Sequence, residues 1–517
     1  MIELKQPKKL QSHKLFFIPL LLLLALGIFF RFDTIDQQPY WIDESFTSLR
    51  ISGYTRAELI EQSFKGREIG VEDLQKFQRP SSEKSFVDTI VGLAREEPQL
   101  PPLYFVMARF WAEAFGSLGS PMAIARSLSA FLSLLVFPCI YWLCLELFKS
   151  SLVGQIAVAF VAVSPLYTRD AQEARYYVLW SILTLVSSTF FLKAIRINTR
   201  FSWLIYAVSL IASLYTFTLT LLTMLSHGVY FLLTEGLSWS RKSAFYLAAS
   251  TISLLIFLPW LLTIVMNLST VRQMTNWANE QRSVLVILKD LANFTTVSLI
   301  GFTNKFFIAF VISLIAYSLY FLCIKKNRKI WLFIATLVLV PAITFILPDI
   351  INGTSRSIAT RYLMPCYLGI QITLSYLFYR KIFVRSSLGK YIWRVCLVFI
   401  ILCGITFLGI NSQADVKRQI GFNAPIARIV NLATSPLIIS DLSDFASPAR
   451  LAGLSHLLKP QVRLLLFATV PHQIDIPKHY SNIFIFSDSQ AIRKSLTPGY
   501  QIKMLLENKS LWLVQKR

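Results

Sequence analysis

A chain of 517 residues that is 55% hydrophobic and 15% charged, with a mean hydropathy of +0.55, carries its apolar residues in long runs and not in amphipathic stripes, the pattern of a polytopic helical membrane protein. The net charge of +23 does not point to nucleic acid, because Lys and Arg cluster in short segments between apolar runs, as the positive-inside rule expects of cytoplasmic loops. All six cysteines (139, 144, 323, 366, 396 and 403) lie in or at the edge of apolar runs, which argues against a disulfide framework and a zinc site.

In chain order, the first run, Leu15 to Phe30, follows Lys5, Lys8, Lys9 and Lys14 and lacks a small-residue cleavage site, so it reads as a retained anchor and not as a signal peptide. A bilayer core needs about 20 apolar residues per helix. That ruler predicts about eleven spans, near 13–31, 124–148, 152–168, 176–195, 202–218, 219–236, 244–266, 304–324, 330–348, 361–379 and 393–411. The basic clusters Lys193/Arg196/Arg200, Arg241/Lys242, Lys325/Lys326/Arg328/Lys329 and Arg380/Lys381/Arg385/Lys390 join the N-terminal lysines and Lys149 on alternate connections. That side is expected to be the cytoplasm of a plasma (inner) membrane.

The opposite side then receives a large loop at 31–123, with ten Lys/Arg and fourteen Asp/Glu. Its segments 55–78 and 83–96 mix charge with apolar residues at roughly helical spacing, as in short helices lying on a membrane surface. The same side receives the connections near 169–175, 267–303 and 349–360, and the tail. Within the tail, Leu437–Ile439, Val462–Phe467 and Ile483–Phe486 read as strands and Pro448–Leu458 and Gln490–Ser495 as helices. Asn508-Lys509 reads as the turn of a terminal hairpin. The expected organisation is a transmembrane domain over 1–411 followed by a small extracytoplasmic α/β domain over 412–517.

The residues with chemistry are scattered in sequence and fall at one predicted membrane face. Asp43 and Glu44 follow the first span, Arg126 stands at the mouth of the second, Gln172-Glu173-Ala174-Arg175-Tyr176-Tyr177 opens the fourth, and Arg356 and Arg361 precede the tenth. Carboxylates and arginines at the boundary of water and hydrocarbon suit a substrate with an anionic headgroup and a lipid tail, because guanidinium forks pair bidentately with phosphate.

With Pro101-Pro102-Leu103-Tyr104, Arg126-Ser127-Leu128-Ser129-Ala130, Ser164-Pro165 and Arg361-Tyr362-Leu363-Met364-Pro365, these motifs, in this order over residues 13–370, resemble the family 39 glycosyltransferases of the GT-C superfamily, the protein mannosyltransferase and aminoarabinose transferase relatives. The resemblance implies a multi-helix membrane enzyme that takes a sugar from a polyprenyl-phosphate donor and passes it, with inversion, to a hydroxyl on a lipid, polysaccharide or protein outside the cytoplasm. Matched to the family motifs, Asp43 is the expected base, supported by Glu44. Arg175, Arg126, Arg361 and Arg356 are expected to hold the donor phosphate, and Gln172, Glu173, Tyr176 and Tyr104 to line the substrate site. An inverting transfer needs one carboxylate to take the acceptor proton, and a leaving phosphate needs positive charge more than a general acid.

The chain departs from the family where a His commonly precedes the Pro-Pro pair, here Leu100, and where Phe217 follows Tyr215-Thr216; His227 stands further on as a substitute. No metal site is assigned, and dependence on a divalent metal stays open. Plainer readings stand beside these: Asp43 as a helix cap, Glu44 as a helix-surface charge, the arginines and tyrosines as interfacial anchors, and His227 as a helix-to-helix hydrogen bond. The alternative function is a transporter or flippase of lipid-linked saccharides, though the charges gather at one face and not at the midplane.

Overall fold

The computed structural model describes residues 9–37, 40–236, 238–384, 389–412, 423–496, 499–506 and 511–516, with side chains from residue 18 onward. Among these, six helices are long and apolar enough to cross a membrane: Pro121–Phe148, Tyr177–Ile197, Arg241–Met266, Lys305–Lys325, Arg328–Asn352 and Gly389–Asn411. A seventh crossing results if Ser151–Ala162 and Pro165–Ala171, bent by 62° at their junction, form one span. The remaining expected spans also fall on helices: Lys9–Phe32 and the shorter Arg200–Leu214, Thr220–Glu235 and Met364–Tyr379.

By internal contact the chain divides into two compact units. The first comprises residues up to Asp33, Glu97–Leu103 and Ser129–Asn411. Its helices pack as sequential neighbours, Val136–Phe148 on Ser151–Ala162 and Tyr177–Ile197 on Arg200–Leu214, while Thr220–Glu235 lies against the distant Arg328–Asn352. The bend has a local cause: Pro165 lacks the N–H that would continue the ladder, and its ring excludes the preceding helical backbone. Arg31, fully buried, donates to the freed carbonyls of Val161 at 3.0 Å and Ala162 at 3.2 Å, and to Gly27 at 2.7 Å. Free backbone groups at this depth need such partners, since hydrocarbon offers none.

The second unit comprises Thr34–Glu96, Tyr104–Leu128 and Ser412–Arg517. Its centre is a six-stranded sheet built from β1 (Lys65–Gly70), β2 (Pro436–Asp441), β3 (Arg463–Phe467), β4 (Asn482–Phe486), β5 (Tyr500–Met504) and β6 (Leu511–Lys516), in the order β1-β3-β2-β4-β6-β5. The three central strands run parallel, with helix Ser447–Ser455 between β2 and β3 as their crossover. Antiparallel β1 closes one edge and the β6–β5 pair the other. The turn at 508–509 lies outside the described residues.

Alternation along the strands sorts the two faces. Ile438, Leu464, Leu466, Phe484, Phe486 and Leu511 point into one core, and Leu437, Ile439, Leu465, Ile483, Ile485 and Val514 into the other. The first core also takes Phe46 and Leu49 from helix Ile42–Ser52 and Leu59, Ile69 and Phe77 from the chain that follows.

The loop expected to carry only surface helices thus supplies a strand. Lys-Gly-Arg-Glu-Ile-Gly has no β-branched alternation to announce it; it pairs with β3 through a bulge between Lys65 and Glu68. Gly66 there has a φ of +69°, and a Cβ on it would lie 2.9 Å from the Phe467 ring, so this turn of backbone needs glycine. Helix Val284–Ile300, within a segment expected as a loop, also lacked a sequence signal of full span length.

Candidate active site

Helix Ile42–Ser52 begins just past the first apolar run. Trp41 occupies its cap position without a side-chain cap bond, and Asp43 and Glu44 stand in the first turn, where negative charge complements the helix dipole. Asp43 is therefore the second helical residue and not the cap. Its carbonyl accepts from the Thr47 hydroxyl at 3.0 Å, and the residue is half-buried.

Glu44 is 0% exposed and Arg126 1%. The two form a fork-to-fork pair, Arg126 Nε to Glu44 Oε1 at 2.7 Å and Nη2 to Oε2 at 2.6 Å. Arg126 Nη1 also donates to the Ile35 carbonyl at 2.8 Å, and the guanidinium lies 5.2 Å from the Tyr40 ring centre. Burial removes Glu44 from the role of a surface charge, and the bidentate geometry fixes the start of the helix. The Tyr40 hydroxyl bonds that of Ser48. Burial, with the Glu44 charge adding, holds the Tyr40 phenol above its ordinary pKa.

The other end of the helix is pinned as firmly. Gly53 closes it with a left-handed φ of 86°. Arg50 pairs with Glu96 at 2.5 Å, the Thr89 hydroxyl donates to the Arg50 carbonyl at 2.8 Å, and Arg109 donates to the Ile51 carbonyl at 3.0 Å. Tyr104 is fully buried and packs edge-on against Phe105 at 5.7 Å. His456, edge-on to Tyr40 at 5.3 Å, has its pKa pulled down to about 4 by burial first and then by the charges of Arg79 and Arg126.

In the first unit two of the four expected donor-binding arginines, Arg175 and Arg361, form a cluster with aromatic rings. Arg175, 5% exposed, lies 5.1 Å from the Tyr176 ring and 5.8 Å from Tyr177. Arg361 approaches Tyr177 at 6.0 Å, and Trp277 and Tyr362 at 5.6 Å each, so the two guanidinium groups share Tyr177. The Ser129 hydroxyl holds the Arg175 carbonyl at 3.2 Å. Arg169 ties the segments together, bonding Asp170 at 3.1 Å and Thr360 at 3.2 Å and approaching Glu173 at 3.7 Å.

Gln172 has a different position from the one its motif suggests. Its amide donates to the carbonyls of Phe30 at 2.8 Å and Asp33 at 2.9 Å, closing the end of helix Lys9–Phe32. Arg356 is exposed and bonds Asn279 at 3.2 Å. The loop beside it is held by buried Asp349, which accepts from Thr354 at 2.5 Å and from the Ser357 amide at 2.6 Å.

Leu100 is buried, and its segment is tied down by Thr218 to the Gln99 carbonyl and by Trp260 to that of Pro98, both at 3.0 Å. Phe217 packs on Tyr176 at 4.5 Å. His227 bridges helices, with Ser188 at 3.2 Å and Tyr206 at 3.1 Å.

Sequence reading missed Arg31, Arg50, Arg109, Asp349 and Trp277. For Arg31 and Asp349 a signal existed, since an ionisable residue inside or at the end of an apolar run rarely lacks a partner. No group of three or more His, Cys, Asp or Glu able to hold a metal occurs among the described residues.

Helices of membrane-spanning length make this a multi-pass membrane protein, and its fold is like that of solved structures. No protein-family model matches the chain, and no curated protein sequence does. Among solved structures, ArnT from Cupriavidus metallidurans bound to undecaprenyl phosphate is 15% identical, covers 96% of this chain and 97% of its own, and has a TM-score of 0.53. The Archaeoglobus fulgidus oligosaccharyltransferase in complex with Zn and sulfate is 10% identical, over 96% of this chain and 73% of that one, with a TM-score of 0.50.

Proposed function

We propose that the chain is an inverting glycosyltransferase that moves a sugar from a polyprenyl-phosphate donor to an acceptor hydroxyl on the extracytoplasmic side of the membrane, with its N-terminus in the cytoplasm. The observation that carries this reading is the likeness over almost the whole chain to a structure bound to undecaprenyl phosphate. The ordered motifs and the Arg175–Tyr177–Arg361 cluster support it.

In this reading Asp43 takes the proton from the acceptor hydroxyl as it attacks the anomeric carbon. The bond to the phosphate oxygen breaks, and the polyprenyl phosphate leaves with the electron pair. Arg175 and Arg361 stabilise the charge that develops on that phosphate. Glu44 and Arg126 act as positioning residues, because each already holds the other with good geometry; Gln172 likewise serves the first helix and not the substrate. No step is assigned to a metal.

The test is transfer by purified protein from polyprenyl-phosphate sugars, with wild type compared to Asp43→Asn. Loss of a general base costs roughly 10²–10⁴ in rate. Wild-type turnover by the variant, under conditions where chemistry limits the rate, sinks the assignment of Asp43. Movement of a lipid-linked sugar across a vesicle bilayer, with no transfer to any acceptor, would replace the enzyme reading with the transporter.

A further inference from the structure

Helix Met364–Tyr379 has cations at both ends. Arg361, given above to the leaving phosphate, precedes it, while Arg380 and Lys381 follow it in a π-helical turn, Arg380–Val384. Its 16 residues rise by about 24 Å, so the second pair of cations stands too far away to serve the proposed transfer. A π turn is rare and recurs at functional sites.

Aromatic rings hold these cations close to one another. Lys381 Nζ lies 5.1 Å from the centre of the Tyr317 ring, 4.9 Å from Phe321 and 5.4 Å from Trp393, and it donates to the Tyr317 hydroxyl at 2.6 Å. Lys326, just past helix Lys305–Lys325, has its Nζ 5.5 Å from Phe148 and 5.1 Å from Tyr376, two rings that stack at 4.8 Å. Phe321 and Tyr376 approach at 6.3 Å, which joins the two cages. Arg380 is the third member, since burial first and then its charge hold the Lys326 amine below the ordinary pKa. All three side chains are half-buried.

Among the described residues no carboxylate pairs with any of the three. The acidic side chains of this end are engaged elsewhere, Glu146 by Lys149 at 3.1 Å and Arg196 at 2.8 Å, and Glu235 by Lys242 at 2.7 Å and Lys329 at 3.2 Å. A ring stabilises one cation at a time and leaves the repulsion between neighbouring cations in place; an anion removes it. Phosphate oxygens suit lysine and arginine donors, and the flanking surface says what carries the phosphate. Tyr320 and Ile324 on helix Lys305–Lys325, and Ile392 and Val395 on helix Gly389–Asn411, are exposed. A free anion leaves them uncovered, whereas acyl chains cover them. We propose that Lys326, Arg380 and Lys381 bind the headgroup phosphate of an anionic phospholipid whose chains lie along these two helices. The site is independent of glycosyl transfer.

The experiment titrates phosphatidylglycerol into the full-length protein in a neutral detergent and reads retained lipid by native mass spectrometry, with phosphatidylcholine as a second lipid and inorganic phosphate as a competitor. Wild type should retain phosphatidylglycerol saturably, with affinity about tenfold lower in Lys326→Gln/Lys381→Gln and within about twofold of wild type in Lys325→Gln/Arg328→Gln. The second variant removes two exposed cations from the same connection and so measures diffuse surface charge. Lys326→Gln alone keeps the bond from Lys381 to Tyr317 and should weaken binding in the same direction, which separates lost binding from lost folding. Equal weakening in both double variants, or retention of phosphatidylcholine as strong as that of phosphatidylglycerol, would overturn the site. Displacement of the lipid by an equal concentration of inorganic phosphate would overturn the lipid as its ligand.

Discussion

Glu44 and Arg126 illustrate how differently a buried pair behaves when it is broken and when it is replaced. Each ion has lost its hydration and is repaid by the fork geometry and the Ile35 carbonyl, so removing one partner strands the other. Glu44→Gln should therefore destabilise the protein by about 3–5 kcal/mol, as for other uncompensated buried charges. Glu44→Met combined with Arg126→Met should recover much of that loss; chemical denaturation in detergent reads both. A second measurement at this scale concerns His456. The unfolded imidazole protonates near its ordinary 6.5 and the folded one only near 4, so between these values the unfolded state binds more protons. Stability from this group is complete above pH 6.5 and declines as the pH falls toward 4. His456→Phe should flatten that part of the melting-temperature profile, and an unchanged slope would dismiss the residue as its source. That Asp43 and Glu44 stand at a helix end was legible in Tyr-Trp-Ile-Asp-Glu after an apolar run, whereas the cap position falls on Trp41 and not on Asp43. The partner of Glu44 was not legible, because it stands 82 residues away and no local pattern encodes such a pairing.

Among the elements, the six helices of spanning length announced themselves through length and apolarity, whereas the break in the third expected span came from a proline whose consequence depends on a distant guanidinium. Ser-Pro in an apolar run signals a kink; that Arg31 fills the exposed carbonyls follows only from helix packing. Strand β1 was illegible for the opposite reason, since its residues suit a surface loop and become a strand only beside β3. Helix Ser447–Ser455 touches the helix of Asp43 through Gly453, where an added Cβ would lie 2.9 Å from Ser45 Oγ and 3.2 Å from the Tyr40 carbonyl. Gly453→Val should force these helices apart at a cost of about 1–3 kcal/mol. It should also lower transfer by more than that stability loss explains, because the displaced helix carries the proposed base. Activity of folded Gly453→Val equal to wild type would show that the position of this helix has more tolerance than its packing suggests.

For the molecule as a whole, the polyprenyl phosphate that leaves in the proposed reaction should act as a folding ligand. Undecaprenyl phosphate at a hundredfold excess over its dissociation constant should stabilise the native state by about 2.7 kcal/mol, seen as a higher melting temperature in detergent. Arg175→Ala with Arg361→Ala should abolish the gain while leaving the ligand-free melting temperature within a few degrees of wild type. A full gain in the double variant would remove these arginines from the phosphate site. One arrangement described above also bears on synthesis. The core beneath Phe46 and Leu49 is shared with Ile438, Leu464 and Phe484 and is completed by Leu511 of β6. As a nascent chain lengthens, the helix bearing Asp43 emerges well before its apolar face has a complete seat, which must wait for Leu511. A ribosome that stalls or a message that is cut short before β6 thus yields a protein with most of its membrane helices and no finished support for its proposed base, so that catalytic competence waits on the strand that completes this core.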